Sequence, residues 1–388
     1  MNVLQIHTRY QQSGGEDTVV AAEANLLEQA GHTVRLFEAK NAGGLAGASQ
    51  LVASPWNPRS AHRLASSIQG ERPDVAHIHN TWFAMSPSVV RRLRAAGVPT
   101  VMTLHNYRLV CANALLLRDG RPCELCVTGS PSQAIRYGCY RSRPESVVAA
   151  GAIALAAKTD VWGKNVDVFL ALTDFMKTIM VRAGLPAEKI VVKPNFTVDP
   201  GPRIRPADQS DTVIFVGRLS EEKGAHRLLE AWRAAPPSNL RLKIVGDGPL
   251  RSILEAKAPS SVEFLGSIPH AEVPVLLRSA RAMVFPSTWY EGLPMTIIEA
   301  FASGLPVLAN NLGAMASVVK PLGERWLVPA TDTTNVDPWI DALTRLSDSS
   351  AIGAASAQAR AAYEASYTPK ANLTALTGAY QRARETAT

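Results

Sequence analysis

The chain has 388 residues, of which 46% are hydrophobic and 19% charged, with a formal net charge of +7. That length suits two domains of ordinary size, and the apolar share supplies two cores and excludes global disorder. The excess charge is uneven: residues 1–200 hold 21 Lys and Arg against 15 Asp and Glu, and the rest hold 19 against 18.

A basic first half suits phosphates or an anionic lipid surface. Nucleic acid is not an expected partner, because the chain has no long Lys/Arg run and no aromatic–basic interleaving. The opening MNVLQIHTRY lacks the basic, apolar and small-residue succession of a secretory signal. The longest apolar run, residues 147–157, is too short for the about 20 residues a membrane-spanning helix needs. It reads as a buried helix. The expected location is cytoplasmic, with peripheral contact at the inner face of the membrane left open. In that compartment cysteines are metal ligands or catalytic groups more often than disulfides.

Short β-branched runs alternate with helical stretches through the first half. The expected strands are 3–7, 33–37, 74–79, 100–105, 167–172 and 189–193. Several are near-continuous apolar runs, as in parallel strands buried on both faces. The helix DTVVAAEANLLEQ closes at Gly31, a residue suited to a helix C-terminus. A stretch rich in Pro, Gly, Asp and Ser follows, and the pattern then restarts with strands at 212–217, 241–246, 262–266, 282–287 and 306–310. The expected fold is therefore α/β, two doubly wound parallel-sheet domains. The expected boundaries are 1–196, a linker at 197–210, a second domain at 211–366, and a last helix at 367–388 crossing back to the first. Ligands of such sheets bind at the carboxyl ends of the strands.

The polar residues gather at those ends. Glu291 and Glu299 stand eight positions apart in EGLPMTIIEAFASG, with Gly292, Leu293 and Pro294 opening the helix and Pro294 in its first turn. Their carboxylates are suited to accept hydrogen bonds from sugar hydroxyls, Glu299 from a ribose and Glu291 from a second sugar. In FVGRLSEEKG, Arg218 and Lys223 follow a strand and are placed to hold a diphosphate, one as a planar fork and the other as a point charge. Gly14 and Gly15 follow the first strand and allow close backbone approach ahead of a helix N-terminus. No GK[ST] follows them and they form no GxGxxG, so neither a P-loop nor a nicotinamide site is indicated. His77, His79 and Asn80 form the strand end HIHN. They read as strand-end groups near the ligand crevice and not as a metal site, because the sequence places no carboxylate partner beside them.

All four cysteines, Cys111, Cys123, Cys126 and Cys139, fall in one segment, with a central C-x2-C. Four thiolates suit a closed structural zinc site, and an iron–sulfur cluster also uses four.

Gly14-Gly15, FVGRLSEEKG, VGDGP at 245–249 and the E-x7-E pair occur in an order, over nearly the whole chain, that resembles glycosyltransferase family 4, retaining enzymes of the GT-B fold. The resemblance implies two Rossmann-like domains facing each other across a cleft and a nucleotide diphosphate sugar, UDP- or GDP-linked, as donor. It implies that Arg218 and Lys223 bind the diphosphate, Glu291 the sugar and Glu299 the ribose, and that Gly15 lies near the distal phosphate. Gly14, Gly217, Gly246, Ile268, Gly292, Leu293, Pro294 and Met295 are expected around the donor, with backbone near Ile268 meeting the base. His105, after the strand TVMTLH, is implied to touch the transferred sugar, so the expected catalytic set is His105, Arg218, Lys223 and Glu291. No divalent metal is expected at the donor, since no DxD pair is present.

The segment HNYRLVCAN…RDGRPCELC resembles a bacterial subgroup of sugar transferases with a cysteine insertion, here about residues 106–142. Its arginines (108, 118, 121, 136, 141 and 143) suit a polyprenyl-diphosphate-linked or otherwise anionic acceptor. The expectation is transfer of a sugar to a glycan or lipid-linked acceptor in bacterial cell-surface glycan synthesis. A sugar-nucleotide epimerase, a phosphorylase or a non-catalytic nucleotide-sugar-binding scaffold would share the fold.

Overall fold

The computed structural model describes residues 1–10, 14–330, 332 and 335–387. The chain forms two compact units. One comprises Met1–Leu116, Cys123–Pro194 and the segment from Asn372 onward, and the other comprises Leu117–Pro122 and Asn195–Ala371.

The first half contains β1 (Asn2–Arg9), β2 (Thr33–Lys40), β3 (Val75–Asn80), β4 (Thr100–Leu104), a short antiparallel hairpin of β5 (Leu117–Arg118) and β6 (Arg121–Pro122), then β7 (Val168–Ala171) and β8 (Ile190–Val192). Its helices are α1 (Gly15–Gln29), α2 (Gly44–Ala53), α3 (Pro58–Gln69), α4 (Ser88–Ala95), α5 (Ser132–Tyr137), α6 (Arg143–Thr159), α7 (Val161–Asn165) and α8 (Asp174–Arg182). The second half adds β9 (Thr212–Val216), β10 (Arg241–Val245), β11 (Val262–Gly266), β12 (Ala282–Phe285), β13 (Val307–Asn310) and β14 (Leu327–Val328). Its helices are α9 (Ala225–Ala234), α10 (Arg251–Glu255), α11 (Val273–Ser279), α12 (Met295–Ala302), α13 (Gly313–Val319), α14 (Asp337–Thr344), α15 (Ser349–Ser366) and α16 (Pro369–Ala387).

The first sheet has the order β2-β1-β3-β4-β7-β8, all parallel. Every residue of β3 and β4 is buried, as their apolar runs require. One face packs under α1 and α16 through Val3, Val75, Val101 and Leu170 against Leu27, Leu376 and Tyr380. The second sheet has the order β11-β10-β9-β12-β13-β14, also parallel. Its core contains Phe215, Ile244, Val284, Ile298 and Phe301. Strand order reverses between β1 and β3 in one sheet and between β9 and β12 in the other, and such switch points leave a crevice at the strands' carboxyl ends.

Four local differences from the sequence reading have simple causes. β14 is too short, at two residues, to show a periodicity. The stretch 197–210 is not a free linker: Arg203 donates to the Ser303 and Gly304 carbonyls, and Arg281 to those of Asp208 and Ser210. Pro294 sits at the N-cap position, one residue before α12 begins. The apolar run 147–157 is buried on one side only, through Ala149, Ala150, Ile153 and Ala156, while Val147 and Leu155 are exposed.

Candidate active site

In the second unit, the two loops at the switch point are sewn together by backbone. Gly224 has φ +73°, and a Cβ there would lie 2.1 Å from the Pro286 carbonyl oxygen. Only glycine permits that approach. The Thr288 N–H then donates to the Glu222 carbonyl at 2.9 Å, and Ser287 Oγ lies 3.2 Å from the same oxygen. Asn310 at the end of β13 braces the second loop by donating to the Pro286 and Ser287 carbonyls, and Trp339 in turn donates to Asn310.

This stitching delivers Lys223 to Glu291. The Lys223 ammonium donates to Glu291 Oε1 at 2.7 Å, and Ser287 Oγ and Trp289 Nε1 donate to the same oxygen at 2.8 and 3.0 Å. The ammonium also lies 5.4 Å from the Trp289 ring centre and 5.8 Å from that of Phe285, a cation–π setting. The Glu291 side chain is 8% exposed and that of Lys223 24%. Arg218, after β9, is exposed, and its guanidinium makes no hydrogen bond or ion pair among the described residues. Gly217 and Gly246 cross so closely that a Cβ on Gly246, at φ +133°, would stand 1.9 Å from the Gly217 oxygen. Leu293 and Pro294 are buried, Gly292 and Met295 half-buried.

Glu299 lies in α12. It is 15% exposed and faces His270 Nε2 at 3.3 Å. Burial raises its carboxyl above the usual range, with His270 opposing. Ile268 is half-buried in the loop from β11 to the turn carrying His270.

In the first unit, Gly14 is the extended N-cap of α1 and Gly15 its first residue. His105 follows β4 directly and stands in a buried polar cluster on the α1–α16 face of the sheet. Its Nε2 lies 3.0 Å from His79 Nδ1, with the rings stacked at 5.3 Å between centres. His79 Nε2 has no hydrogen bond and lies 3.9 Å from Glu23 Oε2, which also has none. Glu23 Oε1 accepts from the Lys193 ammonium, and both side chains are fully buried. His77 is satisfied by the Tyr380 hydroxyl at Nδ1, 2.8 Å, and by Thr103 at Nε2, 2.7 Å. Burial, aided by the neighbouring histidines and Lys193, holds His77, His79 and His105 well below the usual imidazole range, so all three are neutral.

A carboxylate does therefore meet the HIHN histidines, contrary to the sequence reading. It comes from α1, where Glu23 occupies the buried stripe with Val19, Val20 and Leu27. That i, i+4, i+8 placement of an acid among apolar residues was a visible signal. The donor atoms of Glu23, His77 and His79 lie within 4.8 Å of one another. The Lys193 charge on Glu23 and the Tyr380 bond to His77 Nδ1 nevertheless make this a network of shared protons and not a cation site. Glu16, in the first turn of α1, is a second acid missed. Asn106 donates to it at 2.6 Å, and burial raises its carboxyl to about 7.

Among the described residues none of the four cysteines forms a disulfide. Cys126 and Cys139 pack against the small core of Phe83, Tyr140, Ala149 and Ile153. Burial, reinforced by the other three thiols, pushes the Cys126 thiol up to about 11. Among the described residues no three of the cysteine sulfurs lie within 4.8 Å of one another. Arg108 stacks on the Trp82 and Tyr140 rings beside them.

Two parallel sheets with their polar groups at the strand ends define a two-domain, Rossmann-like nucleotide-binding class. The comparisons with known proteins make it specific. A Glycosyl transferase 4-like domain model matches residues 14–195 and a Glycosyl transferases group 1 model residues 202–365. With both halves matched in order, the chain belongs to the glycosyltransferases of the GT-B fold. WcaL of Escherichia coli K12, a glycosyltransferase assigned to colanic acid biosynthesis, is 31% identical over 46% of this chain and 48% of its own. The 2-deoxystreptamine glucosyltransferase of Streptomyces kanamyceticus is 26% identical over 63% of this chain and 62% of its own. The chain thus covers about half the length of the first of these curated relatives. The crystal structure of HepE from Anabaena with UDP has a similar fold, with TM-score 0.67, 18% identity and coverage of 97% of this chain and 99% of that one. Among the described residues no helix is long and apolar enough to cross a membrane.

Proposed function

We propose that this protein is a retaining glycosyltransferase that moves a sugar from a UDP- or GDP-linked donor to a glycan or lipid-linked acceptor in cell-surface glycan synthesis. The observation carrying this reading is the Lys223–Glu291 pair at the β9/β12 switch point, with the exposed Arg218 in the same loop as Lys223. In this reading Arg218 and Lys223 hold the diphosphate and stabilise its charge as the glycosidic bond breaks. Glu291 orients the sugar, Glu299 accepts from the ribose hydroxyls, and the backbone at Gly217, Gly246 and Gly292–Met295 lies close to the donor. His105 touches the transferred sugar. No side chain is assigned as nucleophile; acceptor and leaving group share one face of the sugar, which preserves the anomeric configuration. UDP in the HepE structure supports the donor class.

We further assign the four cysteines to a structural metal site, with zinc preferred and an iron–sulfur cluster as the alternative. The gathering of all four cysteines within residues 111–139 supports it, and a bound metal would deprotonate the Cys111 and Cys126 thiols, which burial pushes up. The exposed Arg141 and Arg143 nearby suit a phosphate-bearing acceptor or an anionic membrane surface.

The test is a melting and hydrolysis screen against UDP-, GDP-, ADP- and dTDP-sugars beside Glu299→Ala. Ligand binding to the folded state raises the melting temperature by mass action. A shift with one nucleotide family, lost in the variant, supports the reading; no shift with any donor overturns it.

A further inference from the structure

The buried acid Glu23 has no role in the reading above, yet a fully buried ion pair in a sheet core is costly unless the arrangement is well satisfied. Its free oxygen Oε2 lies 3.9 Å from His79 Nε2, and Nδ1 of that ring lies 3.0 Å from His105 Nε2. Between two neutral imidazoles this contact holds one proton, and its direction follows from the far end. If His79 carried its proton on Nδ1, its Nε2 lone pair would face the Glu23 carboxylate, two acceptors opposed in a site of low dielectric. With the proton on Nε2, His79 points an N–H at Glu23 and offers its Nδ1 lone pair to His105. His105 must then donate from Nε2, and its remaining nitrogen, Nδ1, is a lone pair. That nitrogen has no partner among the described residues, and His105 lines a cavity with Asn106, Arg108 and Leu104.

We infer that Glu23, anchored by Lys193 and acting through His79, fixes His105 in the tautomer protonated on Nε2, so that His105 Nδ1 is a hydrogen-bond acceptor aimed at a hydroxyl of the transferred sugar. His79 and Glu23 are positioning residues; they touch no substrate. The inference rests on the proposed role of His105 for its ligand but not for its tautomer. It adds a specificity rule. A site built to accept a sugar O–H rejects a donor in which that hydroxyl is replaced by hydrogen, because the nitrogen is left unpaired. Lys193 serves the same end: its ammonium holds Glu23 Oε1 and so leaves Oε2 as the acceptor facing His79.

The first experiment needs no variant. In protein labelled with 15N-histidine, the two nitrogens of a neutral imidazole have distinct 15N shifts and long-range couplings. The expected result is His105 protonated on Nε2, held from about pH 6 to 8, the range in which a free imidazole titrates. His105 protonated on Nδ1, or a mixture of tautomers, overturns the inference. The second compares His79→Leu, which removes the acceptor, with His79→Asn, whose amide oxygen can replace Nδ1. His79→Leu is expected to lower kcat by roughly 10- to 100-fold, the range for losing a residue that orients another, with KM for the nucleotide sugar little changed and His105 no longer held in one tautomer. His79→Asn is expected to recover most of the activity and the tautomer. Equal loss in both variants, with the His105 signals unchanged, overturns it. Wild-type protein that turns over no nucleotide sugar would instead sink the proposed function, while the tautomer remains readable.

Discussion

The Lys223 ammonium stands 2.7 Å from Glu291 Oε1 across 68 residues of chain, and the contact exists because Gly224 lets two strand-end loops touch. A cation held against an acid is ready to exchange part of that contact for a phosphate oxygen. Lys223→Ala is expected to weaken donor binding by roughly 10- to 100-fold, the scale of one charge-assisted hydrogen bond. Glu291→Gln is expected to lower kcat by about 100-fold and leave binding of the free nucleoside diphosphate within a fewfold. Calorimetry with the diphosphate and steady-state kinetics with the sugar donor separate the two. Unchanged turnover in Glu291→Gln removes Glu291 from the site.

Gly246 is fixed by space as well as by φ. A methyl group would overlap the Gly217 oxygen, which is backbone and cannot rotate away. Gly246→Ala should destabilise the fold by about 3 kcal/mol or more, measured by urea denaturation. Gly353, where a Cβ meets nothing within 4 Å, is the control and should tolerate alanine.

The buried histidines set an acid limit on stability. Folded His77, His79 and His105 stay neutral below the ordinary imidazole pKa, whereas the unfolded chain takes up protons there. The unfolded state then binds more protons, so stability falls as pH drops below about 6.5, by about 1.4 kcal/mol per pH unit for each neutral histidine. Glu16 acts in the opposite sense. Its carboxyl is raised from 4.5 to about 7, so the folded state holds the extra proton in that window and stability falls as pH rises through it. Urea denaturation between about pH 5 and 7 should show a positive slope with pH, steeper in Glu16→Gln and shallower in His77→Phe. A flat profile in wild type and His77→Phe alike contradicts the neutral cluster.

The cysteine assignment predicts one zinc per chain by elemental analysis and a colourless protein. A visible charge-transfer absorption identifies the iron–sulfur alternative. Stripping the metal should lower the melting temperature, and Cys126→Ser should do so without a chelator, because structural metal binding is coupled to folding. Metal-free protein of unchanged melting temperature would leave the four as ordinary thiols.

The two sheets were legible because their strands are apolar runs of the right length, and VEFLG at 262–266 coincides with β11 residue for residue. Lys223 and Glu291 were legible as loop residues following strands, and the topology supplied what pattern could not, that β9 and β12 are neighbours. The Glu23–His79–His105 row was hidden. It joins α1, β3 and β4, and nothing local to HIHN reveals which face of which helix covers it. Lys193 was equally opaque: a lysine just past a strand is ordinarily solvated, and here it is fully buried against Glu23. Glu299 shows the converse, since its helical position was plain but its neighbour His270 comes from another loop.

The return of α16 to the first sheet also constrains the order of events during synthesis. Tyr380, whose hydroxyl completes His77, is made only after the 177 residues Asn195–Ala371 of the second unit. At bacterial or eukaryotic elongation rates the first sheet waits about 10–35 s with one face lacking its covering helix. During that interval the apolar surface of Val3, Val75, Val101 and Leu170 is available to chaperones. A ribosome stalled anywhere in the second unit therefore releases a first unit without its lid, recognisable to proteases as unfinished. His77 gains its Tyr380 hydrogen bond only once the final helix has been translated.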